Sequence, residues 1–130
     1  MNPGGGRVLK LGVGVEIEVP ESYEELEREC VGVIESIVGK YPKAALMWRL
    51  LREDPEVNAC WDMADYIAVK ELRYNDHGET HAIITTSFAL QMLELLHEAG
   101  HEPDVVADGV GEMDDAALIV LAAALLHDIG

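Results

Sequence analysis

The sequence predicts an all-α fold with a short β-strand at its N-terminus. Three observations carry this. Apolar residues recur every three or four positions through most of the chain after Pro20. A single segment, Gly12–Val19, alternates apolar and polar with a period of two. Helix start and stop residues fall where the periodic runs begin and end. At 130 residues the chain has the size of one domain, and no linker divides it. We therefore expect a single helical domain over 1–130, with 1–20 as tail plus strand.

Residues 1–6 carry three glycines and read as a tail. In the strand, Val13, Val15, Ile17 and Val19 alternate with Gly12, Gly14, Glu16 and Glu18, and Pro20 ends it. Its partner is either the same strand of another subunit or residues 7–11 through a tight bend. Ser22 and Glu25 fit a capping box. The first helix follows, with Leu26, Cys30, Val33, Ile34, Ile37 and Val38 on one stripe, and Gly39 ends it. Pro42 opens a second helix carrying Ala45, Leu46, Leu50 and Leu51 inward. A third helix is expected from about Pro55 to Arg73, with Val57, Cys60, Ala64, Ile67 and Leu72 inward. Asn75–Gly78 is turn chemistry. The fourth helix runs from near Thr80 to near Gly100, with His81, Ile84, Phe88, Met92 and Leu95 as its core-facing stripe. Residues 103–111 read as a loop. The fifth helix starts near Asp114, whose carboxylate suits a helix N-terminus. It is apolar on every face over Ala116–Leu126, so it should be surrounded by other elements.

Composition excludes several classes. Twenty-five acids against nine Lys+Arg give a formal net charge of −16. Such a surface repels phosphate backbones and anionic lipid, so nonspecific nucleic-acid binding and membrane association are not expected. The longest apolar run is too short to span a bilayer, and the N-terminus has no signal core. A cytoplasmic location is expected. Cys30 and Cys60 lack CxxC spacing and read as reduced, buried small hydrophobes. Trp48 and Trp61 read as packing residues. The acids between Asp104 and Asp115 do not match EF-hand spacing, and Gly39-Lys40-Tyr41 is no P-loop.

Chemistry concentrates on the last two helices. His81 sits in the first turn of the fourth helix, where the dipole favours neutral imidazole, the metal-binding form. His127 and Asp128 end the apolar fifth helix. A carboxylate there needs a partner. Gly130 suits the position that terminates such a helix. His77 and His81 are spaced i, i+4, but Gly78 puts His77 outside the helix, as a turn residue or one that supports the ligands from behind. His97 and His101 flank a helix end at Gly100.

An apolar helix ending in His127-Asp128-Ile129-Gly130, after an upstream helix opening with His81, resembles the HD superfamily of metal-dependent phosphohydrolases. The stretch Tyr74-Asn75-Asp76-His77-Gly78-Glu79-Thr80-His81 resembles the start of the HD helix in a prokaryotic HDIG subgroup, and residues 102–111 share its look. The resemblance covers roughly residues 70–130. It implies an HD-like helical bundle that hydrolyses a phosphate ester with a divalent metal (Mn, Fe, Ni, Co, Zn or Mg). His81, His127 and Asp128 would hold the ion, Asp128 being also the candidate catalytic residue. The substrate would be a nucleotide or another small phosphate ester. The family's fourth ligand, a later Asp, has no counterpart before Gly130. The sequence therefore reads as the N-terminal portion of such a domain, with weak metal binding and little activity of its own. The alternative is a non-catalytic helical module that keeps the HD core for packing or oligomerisation. The bare strand and the apolar fifth helix favour a homodimer.

Overall fold

The computed structural model describes residues 7–12, 14–73 and 77–129. Two strands, β1 (Arg7–Leu11) and β2 (Val15–Val19), precede six helices. These are α1 (Tyr23–Val38), α2 (Pro42–Glu53), α3 (Pro55–Asp65), α4 (Glu79–Glu98), α5 (Asp104–Ala107) and α6 (Met113–Leu126). The fold is all-α with a short N-terminal β element, as the periodicity predicts.

The strand finds its partner within the chain. β1 and β2 form an antiparallel hairpin in which Lys10 faces Glu16, and the two side chains pair at 2.9 Å. The pairing starts at Val15 rather than Gly12, because the bend takes up Gly12 and Gly14. Gly14 has φ +75°, a conformation glycine adopts without strain. The expected role of Val13 lies outside the described residues.

In α1 the capping box forms. Glu25 N–H donates to Ser22 Oγ at 3.1 Å, while the Glu25 carboxylate accepts from Glu21 N–H, one residue earlier than the usual motif. Cys30, Ile34, Ile37 and Val38 are buried along the expected stripe. Tyr41, before α2, offers no side-chain cap. Asp114, from the far end of the chain, does this instead by accepting from the N–H groups of Lys43 and Ala44 at 3.0 and 3.3 Å. Asp114 thus caps α2, and α6 is capped by Glu112 with Asp115 in a capping box. Lys43 also pairs with Asp115 at 2.6 Å.

The core lies where α4 packs between α1 and α6, and α2 covers α6. Its buried face on α4 is Ala82, Ile83, Thr86, Ser87, Leu90 and Leu93. This corrects the expected stripe: Phe88, Met92 and Leu95 are 63%, 57% and 61% exposed. The buried face of α4 mixes small and aliphatic side chains, while Phe88, Met92 and Leu95 face out. Thr86 and Ser87 are buried without penalty, Thr86 Oγ donating to Ala82 O and Ser87 Oγ accepting from Gln91. On α2 the buried residues are Ala44 and Trp48, with Leu46 and Leu50 exposed. α6 buries Ala116, Ala117, Leu121, Ala124 and Leu125 but exposes Ile119, so it is covered on one side and not all round. The expected loop at 103–111 contains the single turn α5.

The third helix does not reach Arg73 as an α-helix. After Asp65 it widens into a π-helical turn, Tyr66–Glu71. One wider turn rotates the following residues off the original stripe. Trp61 and Ala68 are buried, while Ile67 and Leu72 are exposed. The Trp61 indole N–H donates to Leu125 O at 3.0 Å and so pins α3 to the end of α6.

Lys40 and Tyr41 tie the α1–α2 connection to α4 through Glu94, the Tyr41 hydroxyl donating at 2.5 Å. Burial and the Glu94 carboxylate beside it push the Tyr41 phenol up from 10.0 to about 12. A raised folded value means stability that is complete below pH 10 and lost as pH rises through the folded value. The stability gap between wild type and Tyr41→Phe is therefore expected to narrow from pH 10 toward 12. Urea denaturation at a series of alkaline pH values reads this. A gap that stays constant across that window removes the assigned role of the hydrogen bond.

Candidate metal centre

Three histidines and one carboxylate meet where α4 begins and α6 ends. His81 is the third residue of α4, and its Nε2 points toward the chain just past Leu126. His127 and Asp128 occupy the turn that follows α6. His77 stands in the connection before α4. The described helices fix all four positions, because α4 and α6 are packed against each other.

Asp128 Oδ2 is the hub. It lies 2.8 Å from His77 Nδ1, 3.1 Å from His127 Nε2 and 3.3 Å from His81 Nε2. The His81 and His127 Nε2 atoms are 3.3 Å apart. Donors that share a cation with bonds of 2.0–2.2 Å sit about 2.8–3.6 Å from one another. The His81–His127–Asp128 triangle, with edges of 3.1–3.3 Å, fits that requirement. The ligand atoms of His77, His81 and Asp128 also lie within 4.8 Å of one another, so this group could hold a metal ion.

The tautomer of His127 is set by the backbone. Its Nδ1 is 2.7 Å from Ala124 O, a carbonyl, so Nδ1 carries a proton and Nε2 faces the cluster. A backbone carbonyl behind a ligating histidine is the usual arrangement for orienting the ring. His77 Nδ1 is at hydrogen-bond distance from Asp128 and donates to Oδ2. Burial by itself would raise the Asp128 carboxyl. The His77 hydrogen bond and the charges of His127, His77 and His81 outweigh it and hold the group below the ordinary carboxylate range. Asp128 is therefore an anion at neutral pH.

The neighbourhood of the cluster is held by polar links. Thr80 donates to Glu27 of α1 at 2.5 Å, and Glu79 pairs with Arg52 of α2 at 3.3 Å. Arg52 in turn stacks on Trp48. These contacts fix the first turn of α4, and with it His81, from two sides.

The structure thus brings together His81, His127 and Asp128, the three residues singled out as ligands. It also brings His77 into direct contact with Asp128. His97 and His101 lie at the other end of α4, outside the cluster. Sequence reasoning missed the surface beside the cluster. Cys60, Met63, Ala64 and Ile67 line an open pocket with Asp128 and Ile129. Cys60, Ala64 and Ile67 belong to the stripe expected to face inward, and Met63 lies outside it. Cys60 is accordingly not fully buried, whereas Cys30 is, and both are free thiols.

No family model matches the chain, and no solved structure matches it at significance. The chain is similar to an uncharacterized protein of Methanocaldococcus jannaschii, 44% identical over 80 residues. The matched part is 62% of this chain and 31% of that protein, so the chain spans about a third of its relative's length. No helix among the described residues is long and apolar enough to cross a membrane.

Proposed function

We propose that the cluster holds a divalent metal and that the protein is a metal-dependent phosphohydrolase of the HD type. The observation that supports this best is the triangle of donor atoms around Asp128 Oδ2, whose edges suit one cation. In this reading His81, His127 and Asp128 are the ligands, and His77 supports Asp128 from behind. Mixed imidazole and carboxylate donors suit Mn, Fe, Co, Ni or Zn rather than an all-oxygen ion. Such an ion supplies Lewis-acid polarisation of a phosphoryl oxygen and a lowered pKa for water.

The chain's own residues do the rest. Ala124 O holds the His127 ring in the tautomer that a cation needs. The half-exposed setting of the histidines leaves one side open to a phosphate ester. Local positive charge also matters to a chain of net charge −16, which repels an anionic substrate everywhere else. A small phosphorylated molecule in a cytoplasmic setting is the substrate class this reading implies.

Titration of Mn²⁺ into the protein by calorimetry tests the site. One ion per chain, removed by a chelator, is expected. Release of phosphate from phenyl phosphate, slow where only three protein ligands hold the ion, should require the metal and stop on chelation. A chain that takes up no divalent ion is instead the packing or oligomerisation module that keeps the HD core without its chemistry.

A further inference from the structure

The pocket beside Asp128 has a shape and lining that the metal reading does not use. It has a volume of about 170 Å³ and is lined by Cys60, Met63, Ala64, Ile67, Asp128 and Ile129. Five of these six side chains are apolar or weakly polar. The sixth is the carboxylate at the centre of the histidine cluster. Asp128 is the residue that this apolar surface shares with the histidine cluster.

The wall is built rather than accidental. Trp61, on the buried side of α3, donates to Leu125 O and holds this stretch against the end of α6. Cys60, Met63 and Ala64, on the flank beside Trp61, line the pocket with Asp128 and Ile129. The π-helical turn after Asp65 brings Ile67 to the same rim. Wide turns of this kind recur at functional sites, where they re-aim side chains. Met63 and Ile67 are left exposed there. An aliphatic cavity of roughly 150 Å³ is large enough for a benzene ring.

We propose that this pocket seats a compact, ring-sized apolar group on the ester side of the phosphorylated substrate. The phosphoryl itself would lie at the His81–His127–Asp128 cluster. The substrate class is then an aryl or branched-alkyl phosphomonoester. This rests on the metal-hydrolase reading, which it sharpens by naming what flanks the phosphoryl.

Four lining residues, Met63, Ala64, Ile67 and Ile129, carry methyl groups, so methyl NMR reads the pocket directly. Protein loaded with one equivalent of Zn²⁺ is titrated with phenylphosphonate and, separately, with methylphosphonate. Phenylphosphonate should bind roughly tenfold more tightly, the worth of burying part of a ring. It should shift those four methyl signals, whereas methylphosphonate should leave them in place. Ala64→Leu, which fills the pocket, should erase the preference without changing Zn²⁺ affinity. Equal affinities, or methyl shifts elsewhere only, with Zn²⁺ still bound, overturn the pocket and leave the metal site standing. Failure to bind Zn²⁺ at all overturns both. The wild-type shifts decide the matter even if the Ala64→Leu variant does not fold.

Discussion

Alanine at His81, His127 or Asp128 is expected to lower divalent-metal affinity by more than about 100-fold, and metal-dependent hydrolysis with it. Partners that merely orient a ligand are worth 10–100-fold, and loss of a donor exceeds that. His77→Ala is expected to fall within the lower range. Its nitrogen sits at hydrogen-bond distance from Asp128 Oδ2, so its removal frees the carboxylate to rotate without removing a ligand atom. The four side chains are half-buried and lie outside the hydrophobic core, so helix content should not change. Calorimetric Mn²⁺ titration of the four variants, with far-UV circular dichroism alongside, separates these cases. A His77→Ala protein as defective as Asp128→Ala would make His77 a ligand in its own right. A Asp128→Ala protein that binds like wild type would end the assignment.

The polar groups of the cluster also have partners within the chain. Asp128 takes a hydrogen bond from His77, and His127 gives its own proton to Ala124 O. Each partly buried polar group thus has a partner, and among the described residues no buried side-chain polar atom is left unsatisfied. The Nε2 atoms of His81 and His127, 3.3 Å apart, are the ones a metal would take.

How much of this was legible in the sequence depended on distance along the chain. Ser22 and Glu25 announced α1 because both partners of a capping box lie within one turn. The cap of α2 was illegible, since Asp114 is about 70 residues away and reaches Lys43 and Ala44 only once α6 has packed. Periodicity located α4 but misjudged its face. The stripe through Phe88, Met92 and Leu95 and the one through Ile83, Leu90 and Leu93 are both apolar, and it is the second that packs between α1 and α6, together with Ala82, Thr86 and Ser87. On α3 the wide turn at Tyr66–Glu71 breaks the 3.6-residue rhythm, and Ile67 and Leu72 leave the inward stripe. Of the site, His81, His127 and Asp128 were legible through the family resemblance. For His77 the sequence leaves a turn role and a supporting role open, because a residue ahead of a helix has no periodicity to place it, and the contact with Asp128 is the supporting one.

Trp61→Ala should be the most destabilising single change in the chain. Trp61 is the largest fully buried side chain, 1% exposed, and truncating a buried tryptophan costs about 3–5 kcal/mol in transfer and cavity terms. A domain of this kind has about 5–15 kcal/mol in all, so the variant should be partly unfolded at 37 °C. Trp61→Phe separates the two contributions. It keeps most of the buried ring but removes the N–H that reaches Leu125 O, and it leaves that carbonyl at the end of α6 without its partner. Its cost should be about 1–3 kcal/mol, the penalty for an unsatisfied buried acceptor. Because Leu125 lies two residues before His127, the phenylalanine variant should also loosen the metal site while remaining folded. Urea denaturation gives the first two quantities and Mn²⁺ titration of Trp61→Phe the third. If the alanine variant loses less than about 1 kcal/mol, Trp61 is not the anchor between α3 and α6. If Trp61→Phe binds metal as wild type does, the tie from α3 to Leu125 serves the fold alone, and the turn after α6 holds His127 and Asp128 unaided.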